Sequence, residues 1–139
     1  MPRKYSPRGF SLYELMLVVA VLGIVTALAV PNYQVMQARA READVMHLAH
    51  LVQLATEDFA ARNDGIYSDQ AADIVPCLPG GRLQKNPFTG QWTEPQFAAP
   101  AATPGQVGLE AIRRPGLVTG YVVSGFGRDE EVVRFLAGR

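Results

Sequence analysis

Apolar and polar positions are distributed unevenly along this chain. After Glu14 no charged side chain occurs until Arg39, and the stretch between opens with the apolar run Leu15–Val30. Phe10 to Val30 is about 21 residues, roughly 30 Å as α-helix, which matches the hydrocarbon thickness of a bilayer. Leu15, Met16, Leu17, Val18, Val19, Val21, Leu22, Ile24, Val25 and Leu28 point all round such a helix instead of forming one stripe. That pattern belongs to a segment solvated by lipid or buried on every side. The rest of the chain, about 105 residues, makes a core too small to enclose it. The run therefore predicts a membrane-spanning helix over 10–31.

The pattern changes at Pro31. This residue has no N–H, so the Ala27 carbonyl loses its helical partner, and the helix either bends there or ends. From Tyr33 to Arg62 there is no Pro or Gly, and Met36, Ala40, Ala43, Leu48, Leu51, Val52, Ala55 and Phe59 recur mostly at intervals of three and four. That spacing predicts an amphipathic helix over 32–63, closed by Asn63-Asp64-Gly65 with Gly65 in a left-handed C′ position. Together the two stretches form a helix of about 50 residues, roughly 75 Å by rise.

Residues 64–139 read as loops and a β region that covers the amphipathic helix. A short helix is expected around Gln70 to Ile74, followed by turns at LPGG and NPFTG. Gln91-Trp92-Thr93 can open a strand, and PQFAAPAATPGQVG reads as an irregular surface loop. The clearest β signal is GYVVSGF (120–126), a turn at Gly127-Arg128-Asp129, then Val132 to Leu136. This predicts an antiparallel hairpin packed on the helix, and hence an α+β fold.

Charge and composition refine the picture. The 139 residues are 48% hydrophobic and 19% charged, with 13 basic and 13 acidic side chains. Arg3, Lys4 and Arg8 precede the apolar run without an acid among them. Such a flank stays on the cytoplasmic side while the following chain is translocated. Ala27-Leu28-Ala29 is only a marginal signal-peptidase match. An acid at the level of Glu14 is costly in lipid and asks for a partner, which the unpaired N–H groups or the amine at the start of its own helix can supply, unless its head reaches water at the interface.

Gly9-Phe10-Ser11-Leu12-Tyr13-Glu14-Leu15-Met16, followed by an apolar run ending in Val30-Pro31-Asn32-Tyr33, resembles the amino terminus of type IV pilins and type II secretion pseudopilins. The resemblance covers about the first 50 residues and implies a pilin-like fold. It also implies that a prepilin peptidase cuts between Gly9 and Phe10 and N-methylates Phe10, so that residues 1–9 are a leader. Loss of Arg3, Lys4 and Arg8 takes the 13 basic residues to 10 against 13 acids, a net charge of −3. In the family the acid matched by Glu14 pairs with the new amine of a neighbouring subunit. The expected partners are then further copies in a helical filament, the peptidase, the inner-membrane assembly machinery and the membrane itself. The subunit would wait in the inner membrane with its amino terminus cytoplasmic, then enter an extracellular pilus or a periplasmic pseudopilus.

Other chemistry adds little. Arg39/Arg41 and Arg113/Arg114 are short basic pairs, too sparse for a dedicated nucleic-acid surface. Asp129-Glu130-Glu131 invites comparison with the calcium loop of major pseudopilins, but calcium takes about 6 to 8 oxygens, and three acids in a turn read as a solvated tip. His47 and His50 lack a third ligand, Gly125-x-Gly127 lacks the third glycine of a phosphate loop, and no nucleophile set is discernible. No enzyme activity, metal or cofactor is expected. Cys77 is the single cysteine, so no internal disulfide forms, and it reads as a small buried thiol. The function expected is a structural filament subunit. The alternatives are a pseudopilin, major or minor, and a monomeric membrane-anchored binding module. The module is disfavoured because a tether needs neither a peptidase site nor an acid in lipid.

Overall fold

The computed structural model describes residues 9–115 and 117–138. The leader expected over residues 1–9 therefore lies, except for Gly9, outside the described residues. Helix α1 spans Leu12–Arg62 and continues through Pro31, so the reading of that proline as a helix end is set aside. Helix α2 (Ala71–Ile74) and two 3₁₀ turns, Val75–Cys77 and Pro79–Gly81, precede strands β1 (Gln96–Phe97), β2 (Val107–Arg114), β3 (Leu117–Phe126) and β4 (Glu131–Gly138).

The chain divides into a unit up to Gln37 and one from Ala38 onward. In the first, the described residues have no cover. Phe10, Leu15, Leu22, Ile24 and Leu28 are all more than half exposed. Its polar side chains bond within the helix: Thr26 Oγ1 donates to the Leu22 carbonyl (2.7 Å) and Asn32 Nδ2 to the Leu28 carbonyl (3.3 Å). Polar groups satisfied in this way are compatible with a hydrocarbon environment, where water is not available to bond them.

The second unit has a core. Val45, Leu48, Ala49, Val52 and Ala55 of α1 are buried, and all but Val45 belong to one cluster with Ile74, Leu78, Leu83, Val107, Leu109, Tyr121 and Val123. The buried stripe thus begins at Val45. Met36, Ala40 and Ala43, expected on it, are exposed among the described residues. At the helix end, the Gly65 amide donates to the Ala60 carbonyl (2.9 Å), a six-residue closure that puts Asp64 (φ 55°) at C′ and Gly65 (φ 81°) one place later. The left-handed termination expected of Gly65 is therefore shared with Asp64.

The sheet order is β1-β2-β3-β4, with β2, β3 and β4 antiparallel and the two-residue β1 parallel to β2. The expected β3–β4 hairpin is present, with Val123 opposite Phe135. The sheet is mixed, not wholly antiparallel, and β2 emerges from the end of the segment expected to be loop. Trp92 forms only an isolated bridge to Lys85. Gly125 is needed where β3 meets the helix. A Cβ there would lie 2.7 Å from Val133 Cγ1 and 2.9 Å from Val45 Cγ1.

Two buried polar residues anchor the loops. Asp69 accepts from the Ala111 amide (3.2 Å) and pairs with Arg113 (2.8 Å), tying the segment before α2 to β2. Asn86 Oδ1 accepts from the Phe88 and Thr89 amides while Nδ2 donates to the Pro104 carbonyl (2.9 Å). Tyr67-Ser68-Asp69 and the NPFTG stretch therefore act as structural staples.

Candidate functional site

The candidate site is the start of α1. Gly9 and Phe10 precede the helix in extended or irregular backbone, both exposed, and a Cβ at Gly9 would meet nothing within 4 Å. No described residue therefore imposes a requirement for glycine at this position. Ser11 is the N-cap. Its amide and hydroxyl donate to Glu14 Oε2 (2.9 and 3.0 Å), and the Glu14 amide donates to Ser11 Oγ (3.2 Å). This reciprocal arrangement is a capping box: it satisfies helix-start donors and places a negative charge at the positive end of the helix dipole.

Ser11 is a residue that the reading of Glu14 left out, although S-x-x-E is itself the sequence signature of a capping box. The structure supplies the acid with a partner in its own chain. Both contacts fall on the same carboxylate oxygen, and Oε1 has no hydrogen bond among the described residues. An amine brought up from outside can therefore pair with the carboxylate without breaking the cap. Pro31 sits in the exposed first unit, and its ring takes the place of an N–H that would have bonded the Ala27 carbonyl.

Other sequence-nominated groups fall elsewhere. His47 lines a cavity of about 150 Å³ with Asp44, Leu48, Gln84, Lys85 and Pro87. His50 instead bonds Gln53 (2.8 Å) and stacks on Phe135 at 5.2 Å. The two histidines do not converge. Asp129 and Glu130 are exposed in the β3–β4 turn, and Glu131 lies 3.9 Å from Arg134. Among the described residues no cluster of His, Cys, Asp and Glu has the make-up of a metal site. Cys77 is half-buried, not fully buried as expected, and its Sγ lies 3.6 Å from the Asp73 carbonyl. Desolvation, followed by the Asp58 carboxylate, pushes its thiol pKa up, which makes it a poor nucleophile.

Residues 6–30 match the family model described as the prokaryotic N-terminal methylation motif. The type IV major fimbrial protein FimA of Dichelobacter nodosus is 35% identical over 128 residues, covering 91% of this chain and 75% of that protein. The type IV major pilin protein PilA of Myxococcus xanthus is 38% identical over 73 residues, 51% of this chain but only 33% of PilA. A fimbrial protein of Moraxella nonliquefaciens is 37% identical over 91 residues, covering 60% of this chain and 59% of that protein. No solved structure is significantly similar to the chain.

Proposed function

Because this chain belongs to the type IV pilin family, we propose that it is a structural subunit of a type IV pilus filament, held in the inner membrane until assembly. The observation that carries this reading is the first half of α1, an apolar surface exposed all round and headed by one carboxylate. Such a surface needs lipid or copies of itself, and a subunit able to exchange one for the other is a filament subunit with a membrane store. Relatives named as major pilins and fimbrial proteins support a surface pilus over a secretion pseudopilus.

In this reading the peptidase removes residues 1–9 between Gly9 and Phe10 and N-methylates Phe10. The backbone there is exposed and outside the helix, as a protease needs. Glu14 then pairs with the Phe10 amine of a neighbouring copy, using the oxygen that the Ser11 cap leaves free. Pro31 loosens α1 at the outer end of the span, where membrane helix passes into amphipathic helix. The amino terminus faces the cytoplasm and the second unit the far side.

Glu14→Ala tests this. The variant should insert and be processed, with membrane levels unchanged on immunoblots, while filaments sheared from cells fall at least about tenfold, since a charge would be left unpaired in a dry contact. Wild-type filament yield from the variant would rule the pairing out.

A further inference from the structure

The second unit carries two flanks of opposite charge at one height on α1. Arg41 and Glu42 are successive residues, about 100° apart around the helix. The Arg41 guanidinium lies 6.0 Å from the Phe88 ring, and the Glu42 side chain runs beside Gly127 in the β3–β4 turn. The 85–92 loop and the turn therefore stand on different sides of the same stretch of helix.

The first flank is built for an anion. The Arg82 guanidinium stacks 4.2 Å over the Trp92 ring, with Lys85 Nζ at 5.6 Å. The Lys85–Trp92 bridge and the Asn86 turn hold Lys85 and Trp92 across a closed loop, with Arg82 just before it in the chain. A guanidinium held over an indole face still has N–H donors to offer, and its fork of donors matches a carboxylate. Among the described residues, no acid lies within salt-bridge distance of Arg41, Arg82 or Lys85, whereas Arg62, Arg113 and Arg134 are paired. Asp44 is the one carboxylate in the adjoining cavity. Trp92 is 54% exposed, a large apolar ring left in water.

The second flank presents acids. The turn is closed by the Gly127 amide on the Glu130 carbonyl (2.7 Å), so the acids project from a fixed hairpin end. Asp129 and Glu130 have no ion-pair partner among the described residues. Glu131 has only the distant Arg134, and Arg128 shares the turn.

We propose that the Arg82–Lys85–Trp92 flank of one copy receives the Asp129–Glu130 turn of the next copy in the filament. The proposal rests on the filament reading above. Two complementary, non-identical patches on one chain make a heterologous contact, the kind that repeats into an open helical array instead of closing as a dimer. Within a filament the high effective concentration of neighbours lets modest exposed pairs count.

The test uses the full chain in a pilus-forming host, reading sheared filament against membrane-held subunit. Arg82→Glu with Lys85→Glu, and separately Asp129→Lys with Glu130→Lys, should each lower filament yield about tenfold at unchanged subunit level, because like charges would then face each other. All four together should restore yield to within about threefold, the opposed charges being complementary again. Wild-type yield from either pair, or no recovery with all four, would overturn the contact. Lys85→Cys with Glu130→Cys in a Cys77→Ser background should give subunit-to-subunit disulfides in intact filaments, and their absence would also overturn it. Filaments that assemble normally but lose retention of a single-stranded oligonucleotide on Arg82→Glu would reassign the flank to nucleic acid. If the unaltered chain forms no filament, the filament reading itself fails. If it does and only the charge restoration fails, the fault lies with this contact alone.

Discussion

The amino- and carboxy-terminal stretches of α1 are built from similar residues and meet opposite surroundings. Leu17, at 55% exposure, has no cover from the described chain, whereas Leu48, nearly five turns past Pro31 at about 3.6 residues per turn, is 3% exposed and clusters with residues of both sheet and loops. The difference is one of pattern. Apolar residues on all sides cannot be satisfied by one small sheet, so the first stretch is left to lipid or neighbouring copies. A stripe at intervals of three and four can be covered by β2 and β3, and is. One helix therefore carries two kinds of apolar surface: one stabilises the subunit, the other is available for what lies outside it.

The comparison is broken most strongly by truncation. Leu48→Ala should lower the stability of the solubilised full-length subunit by about 3 kcal/mol, the transfer and cavity cost of a buried leucine. Leu17→Ala should leave it within about 0.5 kcal/mol, as for an exposed site. Urea unfolding in detergent reads both. Equal losses would mean that the first stretch has cover within its own chain.

Glycine sharpens it next. Gly125 sits where a methyl would press on Val133 and Val45, so Gly125→Ala should cost about 1–3 kcal/mol by overpacking. Gly23 in the first stretch meets nothing within 4 Å, and Gly23→Ala should be neutral or add up to about 1 kcal/mol of helix propensity. Thermal unfolding of the two solubilised variants should shift in opposite directions or only for Gly125→Ala. A similar loss at Gly23 would contradict the open surroundings described for it.

How far these features could be read from the sequence follows the same division. The apolar run, the helix termination near Gly65 and the β3–β4 hairpin announce themselves through local period and turn chemistry. β2 is less legible, because its apolar alternation runs only over Val107, Leu109 and Ala111 before Ile112, Arg113 and Arg114 break it, and what makes it a strand is pairing with β3 and the Asp69 staple from 44 residues away. β1 is two residues long and exists only through its parallel partner. Met36, Ala40 and Ala43 fit the helical period yet stay exposed, since period says which residues share a face and not where the covering sheet ends. At the candidate site, Glu14 stood out as a charge beside a greasy run. Its closeness to the helix-start N–H groups of its own chain is legible in the same way, and the Ser11 side chain completes the box through the equally local S-x-x-E spacing.

The smallest expected effect concerns the carboxylate of the covered stretch. Glu14 bonds a serine in the open, while Glu57 accepts from the buried Tyr121 hydroxyl at 2.6 Å. Burial first, and then the bond to Glu57, push the Tyr121 pKa up from its ordinary value of 10.0. The folded chain thus keeps a phenol proton that the unfolded chain gives up. The corresponding stability is fully present below about pH 10 and falls as pH rises beyond it, by up to about 1.4 kcal/mol per pH unit for one proton. Tyr121→Phe should cost about 1 kcal/mol at neutral pH through the lost hydrogen bond. It should also remove this share of the alkaline slope, so that variant and parent converge in stability as pH climbs above 10. Parallel stability curves for the two proteins across that range would show that the Tyr121 proton is not held by the fold.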